Sequence, residues 1–204
     1  MSDIKIIEKE FIPNFFKESP KGRFLEIGAN DGEPGNLHEP VWPLVEMGWS
    51  GVYCEPNPNA CSKLLTNIKP YNNITVINGA VSIKGGLETF YITDDYPMVS
   101  SLDPNWISRQ SFVPKNSDQY SITTNTFTMQ DLVNCVGLDF NCISIDIENT
   151  HEVYEKLVNS FNWKLFNQCK VIVIELCNET IQNYFISIGY TCAGQSAYNT
   201  IFVR

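Results

Sequence analysis

Two groups of residues in this 204-residue chain have the types and spacing to do chemistry. The first is the run Phe24-Leu25-Glu26-Ile27-Gly28-Ala29-Asn30-Asp31-Gly32, followed 23 residues after Gly32 by Glu55. Glycine at the end of an apolar run lets the backbone pass close to a ligand, with no β-carbon in the way. A carboxylate one strand further on can accept two hydrogen bonds from a ribose diol. The pair points to an adenosine-containing ligand; the plainer alternative is a tight strand–loop turn that binds nothing. The second group is Asp146 and Glu148 at the end of one apolar run and Glu175 at the end of another. Carboxylates so placed can take a proton from a hydroxyl, hold a hard divalent cation such as magnesium or manganese, or simply cap helices and support loops.

The first group discriminates between cofactors. A dinucleotide needs Gly-x-Gly-x-x-Gly, because its pyrophosphate approaches the second glycine and the helix N-terminus. Here Asn30 stands at that second position, and Asp31 puts a negative charge where the pyrophosphate would lie. S-adenosyl-L-methionine has no phosphate and carries an ammonium and a sulfonium, which Glu26 and Asp31 suit. The residues therefore favour S-adenosyl-L-methionine over NAD.

Elements must hold these groups in place. Residues 23–27, 51–54 and 74–77 read as strands, with helices over 39–47 and from the Asn57 cap to about 68. Residues 5–18 suit a short helix broken near Pro13. Residues 80–93 read as extended segments around Gly85-Gly86, and 122–127 as a strand followed by a helix capped by Thr128. Runs 140–145 and 171–174 are short, β-branched and apolar, as buried parallel strands are. Helices over 150–159 and 179–187, then strands over 190–193 and 198–203, close the chain. This alternation predicts an α/β fold: a doubly wound, mostly parallel seven-stranded sheet with a C-terminal antiparallel hairpin. One domain is expected over 1–204, with 1–21 as a helical extension. Residues 94–121 form a long loop rich in Pro, Ser and Asn, and such loops are usually functional.

Composition excludes several classes. Fourteen Lys and Arg against 23 Asp and Glu leave a net charge of −9, which disfavours nucleic acid and anionic lipid. No run reaches the ~18 apolar residues of a membrane span, and the first residues lack a secretory pattern. Seven scattered cysteines with no Cys-x-x-Cys pair read as buried free thiols. A cytoplasmic location is expected.

The first run, with Gly48-Trp49-Ser50-Gly51-Val52-Tyr53-Cys54-Glu55-Pro56-Asn57-Pro58, resembles the FkbM family of S-adenosylmethionine-dependent methyltransferases. Further blocks are similar in order: Asn78 to Ser82, Ser100-Ser101-Leu102, Thr126 to Met129, Ser144 to Glu148, Val173 to Glu175, and Gly189 to Val203. The likeness covers residues 22–204 and implies a class I, Rossmann-like methyltransferase. It implies that Glu26, Gly28, Asn30, Asp31, Gly32, Glu55, Pro56, Asn57, Ala80, Val81, Ser101 and Asp146 bind the cofactor. It also implies methylation of hydroxyls on glycans, polyketides or other small molecules. One departure concerns His151, which follows Asn149-Thr150 where the family often has a glycine.

Asp146 is the expected base, with Glu148 and His38 as lesser candidates. Asp146 as a hydrogen-bond partner of the cofactor's amino group, and His38 as an ordinary surface histidine, remain open. Asp146, Glu148 and Glu175 are the expected ligands of any metal ion. Tyr96, Trp106, Phe112 and Tyr120 in the long loop offer aromatic faces to a sugar, or else pin the loop to the core. The leading expectation is an O-methyltransferase for a sugar hydroxyl of a glycan or glycoconjugate, such as rhamnose or fucose. A lipid, polyketide or metabolite O-methyltransferase competes with it. So does a catalytically silent cofactor-binding module of a glycan-processing assembly; one domain of a larger glycosyltransferase polypeptide is a further expected context.

Overall fold

The computed structural model describes residues 8–19, 21–32 and 39–204. A seven-stranded sheet forms its centre, in the order β3-β2-β1-β7-β8-β10-β9. The strands are β1 (Arg23–Ile27), β2 (Ser50–Cys54), β3 (Ile74–Ile77), β7 (Cys142–Ile145), β8 (Val171–Glu175), β9 (Thr191–Gln195) and β10 (Asn199–Val203). The first five in this list run parallel, while β10 is inserted antiparallel between β8 and β9. The expected sheet and terminal hairpin are both present.

Strand alternation sorts the core into two layers. Leu25, Ile27, Val52, Cys54, Ile143 and Ile145 pack with buried residues of α5 (Met129–Val136), α6 (His151–Asn159) and α7 (Glu179–Ser187). Phe24, Tyr53, Cys142 and Val173 face the other way, against α1 (Glu8–Phe15), α2 (Trp42–Glu46) and α3 (Pro58–Asn67). Side chains this well buried each contribute roughly 1.5–3 kcal/mol to the fold.

Local signals set the helix starts. Asn57 accepts the amide hydrogens of Asn59 and Ala60, and Pro58 fills the first turn of α3. Thr128 and Asp131 close a reciprocal capping box on α5. Helix α1 contains Pro13 instead of breaking there, and ends at Phe15. A ring inside the helix forfeits one backbone bond, and two residues later the helix stops. Helix α2 is shorter than the expected 39–47, because Pro43 is tolerated only in a first turn and fixes the start at Trp42. Ile6 and Ile7 of the expected first helix lie outside the described residues.

Beside the main sheet stands a second one, in the order β4-β6-β5, made by β4 (Ala80–Val81), β5 (Gly86–Thr93) and β6 (Gln119–Phe127). It brackets residues 94–118, which are more built than a loop. They hold a 3₁₀ turn over Pro97–Val99 and a short helix, α4 (Trp106–Arg109). Val99, Ile107 and Val113 form a small core there, with Tyr91, Tyr96 and Trp106 packed against it.

Candidate active site

Strands β1, β2, β7 and β8 all end at one cleft, a cavity of about 640 Å³. Open α/β sheets bind ligands at this edge. Gly28 leaves β1 with φ of +86°, a conformation glycine adopts at no cost. Its amide donates to the Cys54 carbonyl at 2.9 Å. Three non-glycine residues follow strand ends in the left-handed region: Asn30 after β1, Glu148 after β7 and Leu176 after β8. Such backbones are rare outside glycine and cluster at functional sites.

Glu55 is fixed at both carboxylate oxygens. Oε2 accepts the Asn30 amide hydrogen and Oε1 that of Asn57, each at 2.7 Å. Each oxygen keeps a second lone pair, so a diol can be held by an acid that cannot swing away. Burial raises its pKa to about 7, against the pull of those two amides. Asn78 staples the same turn, donating from Nδ2 to the Glu55 carbonyl at 2.8 Å.

At the far end, single ligand atoms of Asp146, Glu148 and Glu175 lie within 4.8 Å of one another. Oδ1 of Asp146 is sealed from solvent and has no hydrogen-bond partner. Burial, then the charges of Glu175 and Glu148, hold Asp146 well above the usual carboxylate range. Burial and Glu175 push Glu148 up to about 8, although the indole Nε1–H of Trp106 donates to its Oε2 at 2.7 Å. Tyr154 donates its hydroxyl to Glu175 Oε2 and accepts the Ile147 amide hydrogen, both at 2.8 Å.

The expected cofactor residues divide into two sets. Gly28, Asn30, Glu55, Pro56, Ala80, Val81 and Asp146 line the cavity. Glu26, Asp31, Gly32, Asn57 and Ser101 are not among its lining residues. Glu26 lies beneath the floor, level with Tyr53 and Ser144 on the neighbouring strands. Burial and the Glu39 charge hold its pKa well above the usual range. The Asp31 carbonyl accepts from Asn67 Nδ2 at 2.9 Å, and Gly32 backs onto Leu64. Asn57 is spent as a helix cap. Ser101 is buried, its hydroxyl donating to the Glu148 carbonyl at 2.5 Å and accepting the Asp103 amide hydrogen at 3.0 Å. These five lie outside the cavity lining.

His38 lies outside the described residues. His151 is exposed and is not among the cavity's lining residues; its Nδ1 lies 2.6 Å from the Leu176 carbonyl oxygen. Trp106, Phe112 and, beside them, Gln110 and Ser100 line the cavity; Tyr96 and Tyr120 do not. Sequence reasoning missed Glu39, Glu88 and Tyr154. Glu39 is buried at the cavity wall, its pKa raised by burial to about 7, and Oε1 of Glu88 is buried without a partner. No spacing signal marks either acid, because each meets the cleft through tertiary folding alone.

In total the cavity is lined by seven acidic side chains (Glu39, Glu55, Glu88, Asp103, Asp146, Glu148 and Glu175) and, among the described residues, by no Lys, Arg or His. Such a lining attracts cations and repels phosphates. Parallel strands ending at an acid-lined cleft, with β10 inserted antiparallel at one edge, define a class I, Rossmann-like methyltransferase fold. Residues 26–188 match the description of the methyltransferase FkbM domain, and the chain belongs to the FkbM methyltransferase family.

Solved structures agree on the fold. The FkbM methyltransferase of Methylobacillus flagellatus KT superposes with a TM-score of 0.52 at 12% identity, over 91% of this chain and 44% of that one. This chain thus spans less than half of that relative. The magnesium protoporphyrin IX methyltransferase of Synechocystis PCC 6803, solved with S-adenosylmethionine bound, superposes with a TM-score of 0.50 at 8% identity, over 96% and 77%. No curated protein matches the sequence. Among the described residues, no helix is long and apolar enough to cross a membrane.

Proposed function

We propose that this protein transfers a methyl group from S-adenosylmethionine to a hydroxyl of a sugar, within a glycan or glycoconjugate. The carrying observation is the cleft's charge: seven acids and no described base line it, which suits a cofactor bearing two positive groups. Glu55 would hold the ribose diol, Gly28 and Asn30 the nucleoside edge, and Ala80 and Val81 the base. Asp146 and Glu148 would face the transferred group.

The bound cofactor supplies an electrophilic methyl carbon on a positively charged sulfur. Asp146 then has one task, to take the proton of the acceptor hydroxyl as its oxygen attacks. A carboxylate held above its usual pKa is a stronger base once ionised, and general base catalysis gains from a pKa nearer the working pH. Glu148 shares the proton load or orients the acceptor. Most of the acceleration comes from holding the two reactants in line. Trp106 and Phe112 give flat apolar faces, and Gln110, Ser100 and Asp103 give hydrogen bonds; that mixture suits a sugar ring.

A second reading has its own support. Met98 and Phe112, at the cavity, are 50% and 57% exposed, which suits the apolar part of a lipid or polyketide acceptor. Incubation with labelled S-adenosylmethionine, using deoxysugar-containing oligosaccharides in one arm and lipid extracts in the other, separates the two. Label in the oligosaccharides supports the proposal and label only in lipids supports the second reading. S-adenosylhomocysteine binding with no transfer to any acceptor would mark a silent module. A larger glycosyltransferase polypeptide remains a proposed context for the domain.

A divalent ion fits the same acids. One oxygen each from Asp146, Glu148 and Glu175 would hold magnesium or manganese, and such an ion would orient a diol. A proton shared between Asp146 and Glu175 answers the same repulsion.

A further inference from the structure

We propose that Trp106 and Ser101 are positioning residues that aim Glu148, so that the segment over the acceptor end of the cleft, not the strand carrying the acid, sets its direction. The inference rests on the methyltransferase reading of the cleft for its kinetic consequences only.

Glu148 lies three residues beyond the end of β7, with φ of +48°. A glutamate gains nothing intrinsic from that conformation, so its surroundings must impose it. Two hydrogen bonds from 42 and 47 residues away do so. Ser101 Oγ donates to the Glu148 backbone carbonyl and Trp106 Nε1–H to its carboxylate. One grip fixes the backbone, the other the side chain.

Both grips are themselves braced. Ser101 exchanges backbone hydrogen bonds with Tyr91 of β5, at 2.8 and 3.0 Å. Asp103 links the two: its amide donates to Ser101 Oγ, its Oδ1 accepts from the Asn105 amide at 2.9 Å, and its Oδ2 pairs with Arg109 at 3.0 Å. Its carbonyl accepts the Trp106 amide hydrogen at 3.1 Å. Beneath this frame the Val99, Ile107 and Val113 core holds the segment as a unit. Trp106 also lines the cavity, so a ring resting on its face meets the acid that its nitrogen holds.

Trp106→Phe keeps an aromatic side chain and removes the donor together with the five-membered ring, a packing loss common to both backgrounds of the cycle. Glu148→Ala removes the acceptor, and the double variant closes the cycle. In thermal unfolding, Trp106→Phe should lower the midpoint of the parent and have a clearly smaller effect in the Glu148→Ala background; equal effects overturn the proposal, whether or not any acceptor is methylated. Where the parent methylates an oligosaccharide, Trp106→Phe should cut kcat about tenfold while acceptor KM and S-adenosylhomocysteine affinity stay within about twofold. Ser101→Ala should act in the same direction. A rise in KM with kcat unchanged would make Trp106 an acceptor platform and overturn the positioning role. A parent inert on every acceptor sinks the proposed function but leaves the unfolding cycle to decide the clamp.

Discussion

A β-carbon built on Gly28 would lie 1.5 Å from the backbone carbonyl oxygen of Asp146. The end of β1 and the start of the acidic turn are in contact, and the Asp146 amide donates back to the Ile27 carbonyl at 2.8 Å. The glycine proposed to admit the cofactor therefore also sets where the proposed base stands. Gly28→Ala must displace Asp146 and adopt a φ of +86° as well. It should destabilise the fold by at least about 2 kcal/mol, which lowers the unfolding midpoint by roughly 4–8 °C in a chain of this size. Scanning calorimetry of the two proteins checks this; equal midpoints would contradict the contact.

Glu55→Gln replaces an acid whose two oxygens each accept a backbone amide hydrogen. One amide must then face a side-chain NH₂, and the ribose diol loses an acceptor oxygen. S-adenosylhomocysteine should bind at least about tenfold more weakly, the loss of roughly 1.4 kcal/mol or more. Calorimetric titration reads it directly. Equal binding would remove Glu55 as the ribose acid.

Asp146→Asn keeps the shape of the side chain and removes its basicity. Turnover should fall by roughly 10²–10⁴, with S-adenosylhomocysteine affinity within about threefold of the parent. Single-turnover transfer assays separate chemistry from binding. Should affinity collapse instead, Asp146 serves the cofactor's amino group and Glu148 becomes the base.

Stability should fall as pH rises above the ordinary carboxylate range. Folding raises Glu39 and Glu55 from 4.5 to about 7, and Glu148 to about 8, with burial the leading cause in each. A raised acid favours the fold in its protonated form. Its contribution is whole below about 4.5 and is lost as pH climbs through 7 to 8. Unfolding midpoints of the cofactor-free protein should therefore drop across that interval. S-adenosylmethionine, which prefers the ionised acids, should raise the midpoint more at the upper end than at the lower. A ligand shift independent of pH would mean these acids do not face the cation.

Metal removal tests the acidic cluster itself. If Asp146, Glu148 and Glu175 hold magnesium or manganese, calorimetric titration of the chelator-treated protein with either ion should give saturable binding that Glu175→Gln weakens. Chelator-resistant transfer with no ion uptake would assign the cluster to proton sharing.

Much of this arrangement is legible in the residues. β1 and β3, the Asn57 and Thr128 caps and the closing hairpin follow from periodicity and capping chemistry, and Glu55 at the end of β2 follows from its spacing to Gly32. What escapes is depth. Glu26 stands one residue from the cleft-facing Ile27, and a period of two sends it beneath the floor. Asn57 and Ser101 have polar side chains of the right kind, but backbone groups claim them first. The second sheet is equally hidden, because β4 and β6 meet across some 46 residues and β4 is only two residues long.

The Val99, Ile107 and Val113 core shares none of its buried residues with the two layers of the main sheet. The segment over the cleft is thus packed separately from the strand ends, and it meets the turn after β7 through Ser101 and Trp106 at Glu148. A graft that replaced this segment would leave the parallel strands untouched, but would have to bring its own donors for that glutamate.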